Sequence, residues 1–254
     1  MYKICAGKEK NMAKEVFNRF EKKYLVTSEQ VGRVLDEIEK HMEPDKFNID
    51  RKTYSICNVY FDTEDDYLIR NSLAKPVYKE KIRLRSYGTP DEGAYGFLEI
   101  KKKVNGLVNK RRTKIKIRDA YDFVESKGRT QVEQGMNKQV LKELTYIVQN
   151  YDLKPKVMIA YDRLAYFEKG NPDLRLSLDT NLRSRRKDVK LEMGSYGENI
   201  IDNDIWIMEI KTSKAMPLWL SEMLANEKIR STSFSKYGIE FKKYIKKKKE
   251  TSYA

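Results

Sequence analysis

Histidine and cysteine are nearly absent from this chain, which carries one histidine, His41, and two cysteines, Cys5 and Cys57. Two cysteines cannot form a disulfide framework or a Cys-rich structural zinc site. One histidine, set in a helical pattern, leaves no His-rich metal centre and no His general base, and it reads as an inert helix residue. Long apolar runs are missing too. No stretch approaches the roughly 20 residues that cross a bilayer, and the start of the chain has no signal-peptide core. These absences point to a soluble protein of a reducing compartment, expected in the cytoplasm. No segment rich in Gly, Ser and Pro divides the chain, and no repeat recurs at a fixed period. One α+β domain is the simplest organisation for 254 residues.

What the chain has in excess is charge: 35% of its residues are ionic and the net charge is +14. Such a field draws polyanions, whether nucleic acid, nucleotides, acidic lipid or inorganic phosphate chains, without choosing among them. The placement of the cations narrows the choice. In YKEKIRLRSYG (residues 78–88), Lys79, Lys81, Arg83 and Arg85 stand at every second position. In a strand they share one face, while Glu80, Ile82 and Leu84 point the other way. Alone, that stripe fits a solvated, Lys-rich edge strand as well as it fits a binding face.

The alternation recurs along the chain. Strands are expected at residues 18–27, 53–63, 96–104, 107–117 and 156–168, and again at DLRLSLDTNLRSR and IWIMEIKTS. Asn105-Gly106 marks a hairpin between two of them. Helices are expected after Ser28 as the cap, near EDDYLIRNS, over residues 119–127, about 132–150 and 216–227, and from Ile239 into the lysine run 246–249. Phe97, Glu99, Lys101 and Lys103 share one strand face. Lys110, Arg112, Lys114, Lys116 and Arg118 share another, as do Arg175, Ser177 and Asp179, Glu209 and Lys211, and Arg19, Glu21 and Lys23. Carboxylates at the same parity as cations are what a site for metal and phosphate requires. If the sheet closes, these faces line a polar lumen while helices cover the apolar faces.

RFEKKY, NVYFDT, KIRLRSYG, LEIKKKVNG, YDRLAYF, LRLSLDTNL, MEIKTS and SFSKYG occur in that order. Over nearly the whole chain this series resembles the VTC-type polyphosphate polymerase domain of the triphosphate tunnel, or CYTH-like, superfamily. The resemblance implies a closed eight-stranded antiparallel β-barrel with a charged lumen and surrounding helices, spanning residues 18–245. A lead-in (1–17) would precede it and a basic tail (246–254) would follow. It implies transfer of the γ-phosphate of ATP to a growing inorganic polyphosphate chain, with Mn²⁺ or Mg²⁺. By motif, Arg83, Arg85, Lys101, Arg163 and Arg175 would surround the transferred phosphate, and Lys23, Lys110 and Lys236 would hold the phosphate chain. Glu209, with Glu21, would hold the metal.

Two departures keep alternatives open. Tunnel hydrolases begin with Glu-x-Glu-x-Lys, whereas Arg19 replaces the first glutamate here, which disfavours a tunnel triphosphatase. Ser233 stands where active polymerases can carry a lysine, so a non-catalytic polyphosphate-binding module remains an alternative. Nucleic acid is not expected as partner, because no reader motif accompanies the cations. Membrane contact, if any, would be peripheral, through Lys246–Lys249. Asp179 could help hold the metal or pair with Arg175 or Arg183, and the ion pair is expected. Tyr60 would line the lumen, Asp62 would line it or cap a helix, and Trp206 and Trp219 would pack in the core. Lys22, Lys102 and Lys103 carry no assigned role.

Overall fold

In the computed structural model, residues 20–91, 93–105, 107–130 and 137–252 are described. The expected lead-in, Arg19 and Gly106 lie outside them. The chain begins with β1 (Phe20–Thr27), α1 (Ser28–His41), β2 (Met42–Pro44), β3 (Tyr54–Asp62) and α2 (Tyr67–Leu73). β4 (Tyr78–Tyr87), β5 (Tyr95–Val104), β6 (Leu107–Lys116), α3 (Ile117–Glu125) and α4 (Lys138–Asn150) follow. The last part comprises β7 (Lys154–Glu168), β8 (Asn171–Arg185), β9 (Glu198–Asn199), β10 (Ile205–Thr212), α5 (Leu218–Asn226), β11 (Ser231–Thr232) and α6 (Lys236–Ser252). No helix among the described residues is long and apolar enough to cross a membrane.

All eleven strands belong to one sheet, with antiparallel pairing throughout. Its main path runs β11-β1-β10-β8-β7-β3-β4-β5-β6, with β2 paired to β7 and β9 to β8. The sheet is therefore not the closed eight-stranded barrel that the sequence led us to expect. Eight strands are long, but β11 pairs with Lys23 and Tyr24 and occupies the outer edge of β1. β6 ends the path at the other side. The sheet nevertheless curls on itself. β1 and β5 are six strand positions apart, about 29 Å across a flat sheet. Yet Lys101 Nζ of β5 lies 3.7 Å from Glu21 Oε1 of β1.

Helices cover the outside. The outward faces of β4, β5 and β6 pack Ile82, Leu84, Leu98, Ile100 and Ile115 against α3 and α4 through Phe123, Leu144 and Ile147. The outward faces of β1, β8 and β10 pack Tyr24, Leu176, Leu178, Met208 and Ile210 under α1 and α5. The cap of α1 is Thr27, not the expected Ser28. The Thr27 side chain accepts from the Gln30 backbone N–H and the Gln30 side chain accepts from Thr27, a reciprocal box that fixes the start. The inner face is apolar in part. Ile56, Val157, Ile159, Tyr161 and Ile207 meet Tyr237 and Phe241 of α6. That explains why residues 157–161 of β7 are buried on both faces and read as a continuous apolar run. α6 continues without a break past residue 245, so the lysine run is the end of a helix.

Candidate functional site

Beside that apolar region, the inner face is ionic. Three carboxylate centres organise it. The first is Glu99 in β5, whose side chain is only 2% exposed. Arg83 Nε donates to Glu99 Oε2 at 2.7 Å, Arg85 Nε lies 3.9 Å away and Lys110 Nζ is 2.9 Å from Oε1. The strand register produces this meeting, because Arg83 pairs with Glu99 while Lys101, two residues on from Glu99, pairs with Lys110. Arg83 also donates to Tyr60 Oη at 3.1 Å. Arg85 donates to Asn58 Oδ1 at 2.9 Å and to Tyr161 Oη at 3.1 Å. Burial pushes the Glu99 carboxyl up, but Arg85, Arg83 and Lys110 outweigh it and hold the group well below the usual carboxylate range.

The second centre is Asp179 in β8, which is fully buried. Arg163 grips it with two bonds, Nε to Oδ1 at 2.6 Å and Nη2 to Oδ2 at 2.9 Å. Lys236, the first residue of α6, donates to Oδ2 at 2.6 Å. The expected ion pair exists, but its partners are neither Arg175 nor Arg183. β7–β8 register sets Arg163 directly opposite Asp179, and Arg183 instead reaches Asp162.

The third centre is a checkerboard on β1 and β10. Glu21 lies opposite Lys211 and Lys23 opposite Glu209. Lys23 binds Glu21 and lies 3.7 Å from Glu209, while Lys211 binds Glu209 and Lys101 reaches Glu21 from β5. Burial raises both glutamates. The lysines override it, so Glu21 is held below the ordinary value and Glu209 well below it. Both are ionised at neutral pH and sit on one lysine. No group of three or more His, Cys, Asp or Glu side chains suited to a metal occurs among the described residues. These two carboxylates suit a hard divalent ion that takes its remaining ligands from phosphate oxygens and water.

Lys23, Arg83, Arg85, Lys101, Lys110, Arg163, Lys236, Glu21 and Glu209 thus come together around these three centres. Arg175 sits on the same face one row further out, opposite Lys211, with its guanidinium 4.9 Å from the Phe167 ring centre. Asp62 resolves as a cap. It accepts from the Leu68 and Ile69 backbone N–H groups of α2 and from Tyr237 Oη. Trp206 packs against the core under α1, and Trp219 packs there too while stacking on His41 at 4.4 Å.

The motifs passed over one residue, Lys81. It occupies the same face as Arg83, and the alternation alone places it there. Its Nζ donates to Ser235 Oγ at 3.0 Å, in the turn just before α6. Burial, with Lys101, Lys79, Lys23 and Arg83 close by, brings its pKa down to about 7. Burial also brings Lys110 down to about 7 in spite of Glu99, with Arg85 and Arg83 adding to the effect. The carboxylates Glu21, Glu99, Asp179 and Glu209 are too few for the cations they face. Such a surface is complementary to a polyanion with several closely spaced charges.

The VTC domain family matches residues 18–245. The chain belongs to that family. Similar proteins include the vacuolar transporter chaperone complex subunit 4 of Schizosaccharomyces pombe, 28% identical over 201 residues, which are 70% of this chain and 28% of that protein. Subunit 4 of Trypanosoma brucei brucei is 26% identical over 216 residues, covering 70% of this chain and 27% of that one. This VTC-domain chain therefore spans under a third of the length of these relatives. Among solved structures, a putative adenylate cyclase from Bacillus halodurans superposes with a TM-score of 0.54 at 16% identity. It covers 87% of this chain and 95% of the cyclase, and the likeness concerns the fold alone.

Proposed function

We propose that this VTC-domain chain is a polyphosphate polymerase that transfers the γ-phosphate of ATP to the end of an inorganic polyphosphate chain. One observation carries the reading: the inner face brings together more lysines and arginines than its carboxylates Glu21, Glu99, Asp179 and Glu209 balance. The family membership and the motif series support the choice of polyphosphate among polyanions. In the transfer, the bond between the γ-phosphorus and the β–γ bridging oxygen breaks and ADP leaves. A terminal phosphate oxygen of the chain forms the new P–O–P link. That oxygen is already ionised at neutral pH, so the step needs no histidine or cysteine base, consistent with a chain that has only one histidine.

The residues act by position and charge. Arg83 and Arg85 grip phosphoryl oxygens with planar forks that Glu99 holds in place. Arg163 and Lys236, fixed by Asp179, face the same region, and Lys23, Lys101 and Lys110 add point charges. Arg175 extends the cationic row for the phosphate chain. Glu21 and Glu209 would hold Mn²⁺ or Mg²⁺. When bound, the metal would neutralise charge on the phosphate oxygens and orient them.

Incubating the protein with ATP and Mn²⁺, then separating the products by chain length, tests the reading. Long phosphate polymers with ADP are expected. Release of orthophosphate alone would instead make the chain a tunnel triphosphatase, and polyphosphate binding without turnover would make it a binding module. The relatives are named as subunits of a complex, which supports a role for this chain within an assembly.

A further inference from the structure

The cation row on β4 does not end in a cation. Along its inner face the order is Lys79, Lys81, Arg83, Arg85 and then Tyr87, with about 7 Å between successive side chains. Tyr87 is 48% exposed, and it belongs to a cluster drawn from four separate segments. Phe47, in the turn after β2, is 56% exposed and lies nearly parallel to Tyr87, 6.5 Å centre to centre at 20°. Tyr54 of β3 is 5.7 Å from Phe47 and 6.2 Å from Tyr87. Phe97 of β5 meets Tyr87 edge-on at 6.1 Å, and its other neighbour is the Arg112 guanidinium at 4.5 Å.

The cluster touches the ionic site directly. Phe97 lies opposite Arg85, and Tyr54 lies opposite Arg163. Aromatic rings of this size are normally buried, because each carries a large apolar area. Here Phe47 and Tyr87 keep half of that area open beside buried arginines. A ligand that covers both must be anionic at one end and flat and aromatic at the other. A nucleoside triphosphate has that order.

We propose that Phe47, Tyr54 and Tyr87 form a nucleobase platform that seats the base of the phosphate donor at this rim. This inference rests on the proposed phosphate-binding role of the inner face. A flat base can stack on the exposed faces of Phe47 and Tyr87, which lie nearly parallel at 20°. Seating the base there directs the triphosphate along β4, past Arg85 to Arg83 and Lys81. The growing polymer then lies toward Lys79 and Lys103, which face each other at the other end of β4 and β5. Stacking tolerates any base, so the platform strengthens nucleotide binding without selecting adenine.

The test compares two ligands in the full chain by calorimetry: ATP, which has a base, and inorganic tripolyphosphate, which has none. Tyr87→Leu and Phe47→Leu should each weaken ATP about tenfold and leave tripolyphosphate within about twofold. Tyr87→Phe should keep both affinities. Equal weakening of the two ligands by the leucine variants, or undiminished ATP affinity, overturns the platform while the phosphate site stands. If the unsubstituted protein binds neither ligand, the phosphate-site reading fails and the platform fails with it.

Discussion

Glu99 offers the sharpest test of the inner face, because one carboxylate there faces three cations. Replacing it in Glu99→Gln keeps the side chain's size and removes its charge. Arg83, Arg85 and Lys110, the first and last of them half-buried, then remain within 2.7–3.9 Å of a neutral amide. The two arginines cannot lose their protons. Lys110 can, since it already titrates near 7, and its neutralisation limits the damage. Breaking one side of a buried ion pair costs about 3–5 kcal/mol, and the lysine's escape places this case near 3. For a chain of this length that corresponds to a fall in Tm of about 6–12 °C. A polyanion should reverse the loss by replacing the missing negative charge. Tripolyphosphate should therefore bind more tightly to the variant and raise its Tm by more than it raises that of the parent. The assay is a thermal melt of both proteins across a tripolyphosphate titration. A variant that melts within about 2 °C of the parent and binds no more tightly would refute the idea that Glu99 stands in for a bound anion.

Arg83→Ala should weaken polyphosphate binding by roughly 1.5–3 kcal/mol, about ten- to a hundredfold, whereas removing the exposed lysines 246–249 should change it little. Binding isotherms that show the reverse order would move the site to the helix end. Glu209→Gln should abolish Mn²⁺-dependent turnover yet preserve or strengthen polyphosphate binding in chelator, and unchanged turnover with unchanged Mn²⁺ dependence would remove Glu209 from the metal site. Lys81 titrates near 7 in the free protein and rises when an anion binds, so affinity for tripolyphosphate should be level below about pH 7 and fall above it. Lys81→Met should shrink that fall and leave the part that Lys110 contributes, as calorimetry across pH would report. In the unliganded protein the sign reverses: an unfolded lysine keeps its proton up to about 10.5, so the fold gains stability as pH rises from about 7 toward 10.5.

Much of this arrangement is legible in the order of residues. A period of two exposes which cations share a face, and the structure puts Ile82 and Leu84 in the outer core with Arg83 and Arg85 inside, as alternation requires. Closure of the sheet was not legible. It turns on β11, two residues long, which takes the edge of β1 and is too short to have any periodicity. The partner of Asp179 was not legible either, because Arg163 is 16 residues away and Lys236 is 57 away, and only the ladder and the placement of α6 bring them together. Thr27 and Ser28 both suit a helix cap, and the decision lies with Gln30, which can return a bond only to Thr27. The aromatic cluster assembles from four segments, and only Tyr87 falls inside one of the motifs, KIRLRSYG.

The interleaving of acids with cations follows from folding as much as from function. Lysines and arginines crowded on one inner face, among them Lys23, Lys81, Arg83, Arg85, Lys101, Lys110, Arg163, Lys211 and Lys236, would not stay packed without counter-charge. Full compensation, however, would leave nothing for a phosphate chain to neutralise. Carboxylates distributed as Glu99, Asp179 and the Glu21–Glu209 pair serve both needs. Each holds two or three cations at fixed positions, so little side-chain freedom is lost when an anion arrives. Asp179 does more, because its partner Lys236 begins α6, whose Tyr237 also bonds Asp62 at the base of α2. Through those two contacts the charge balance of the inner face anchors the helix that fills the rest of it. Any anion that competes with Asp179 for Lys236 therefore pulls on α6, and the stability of that helix should depend on whether the face is occupied.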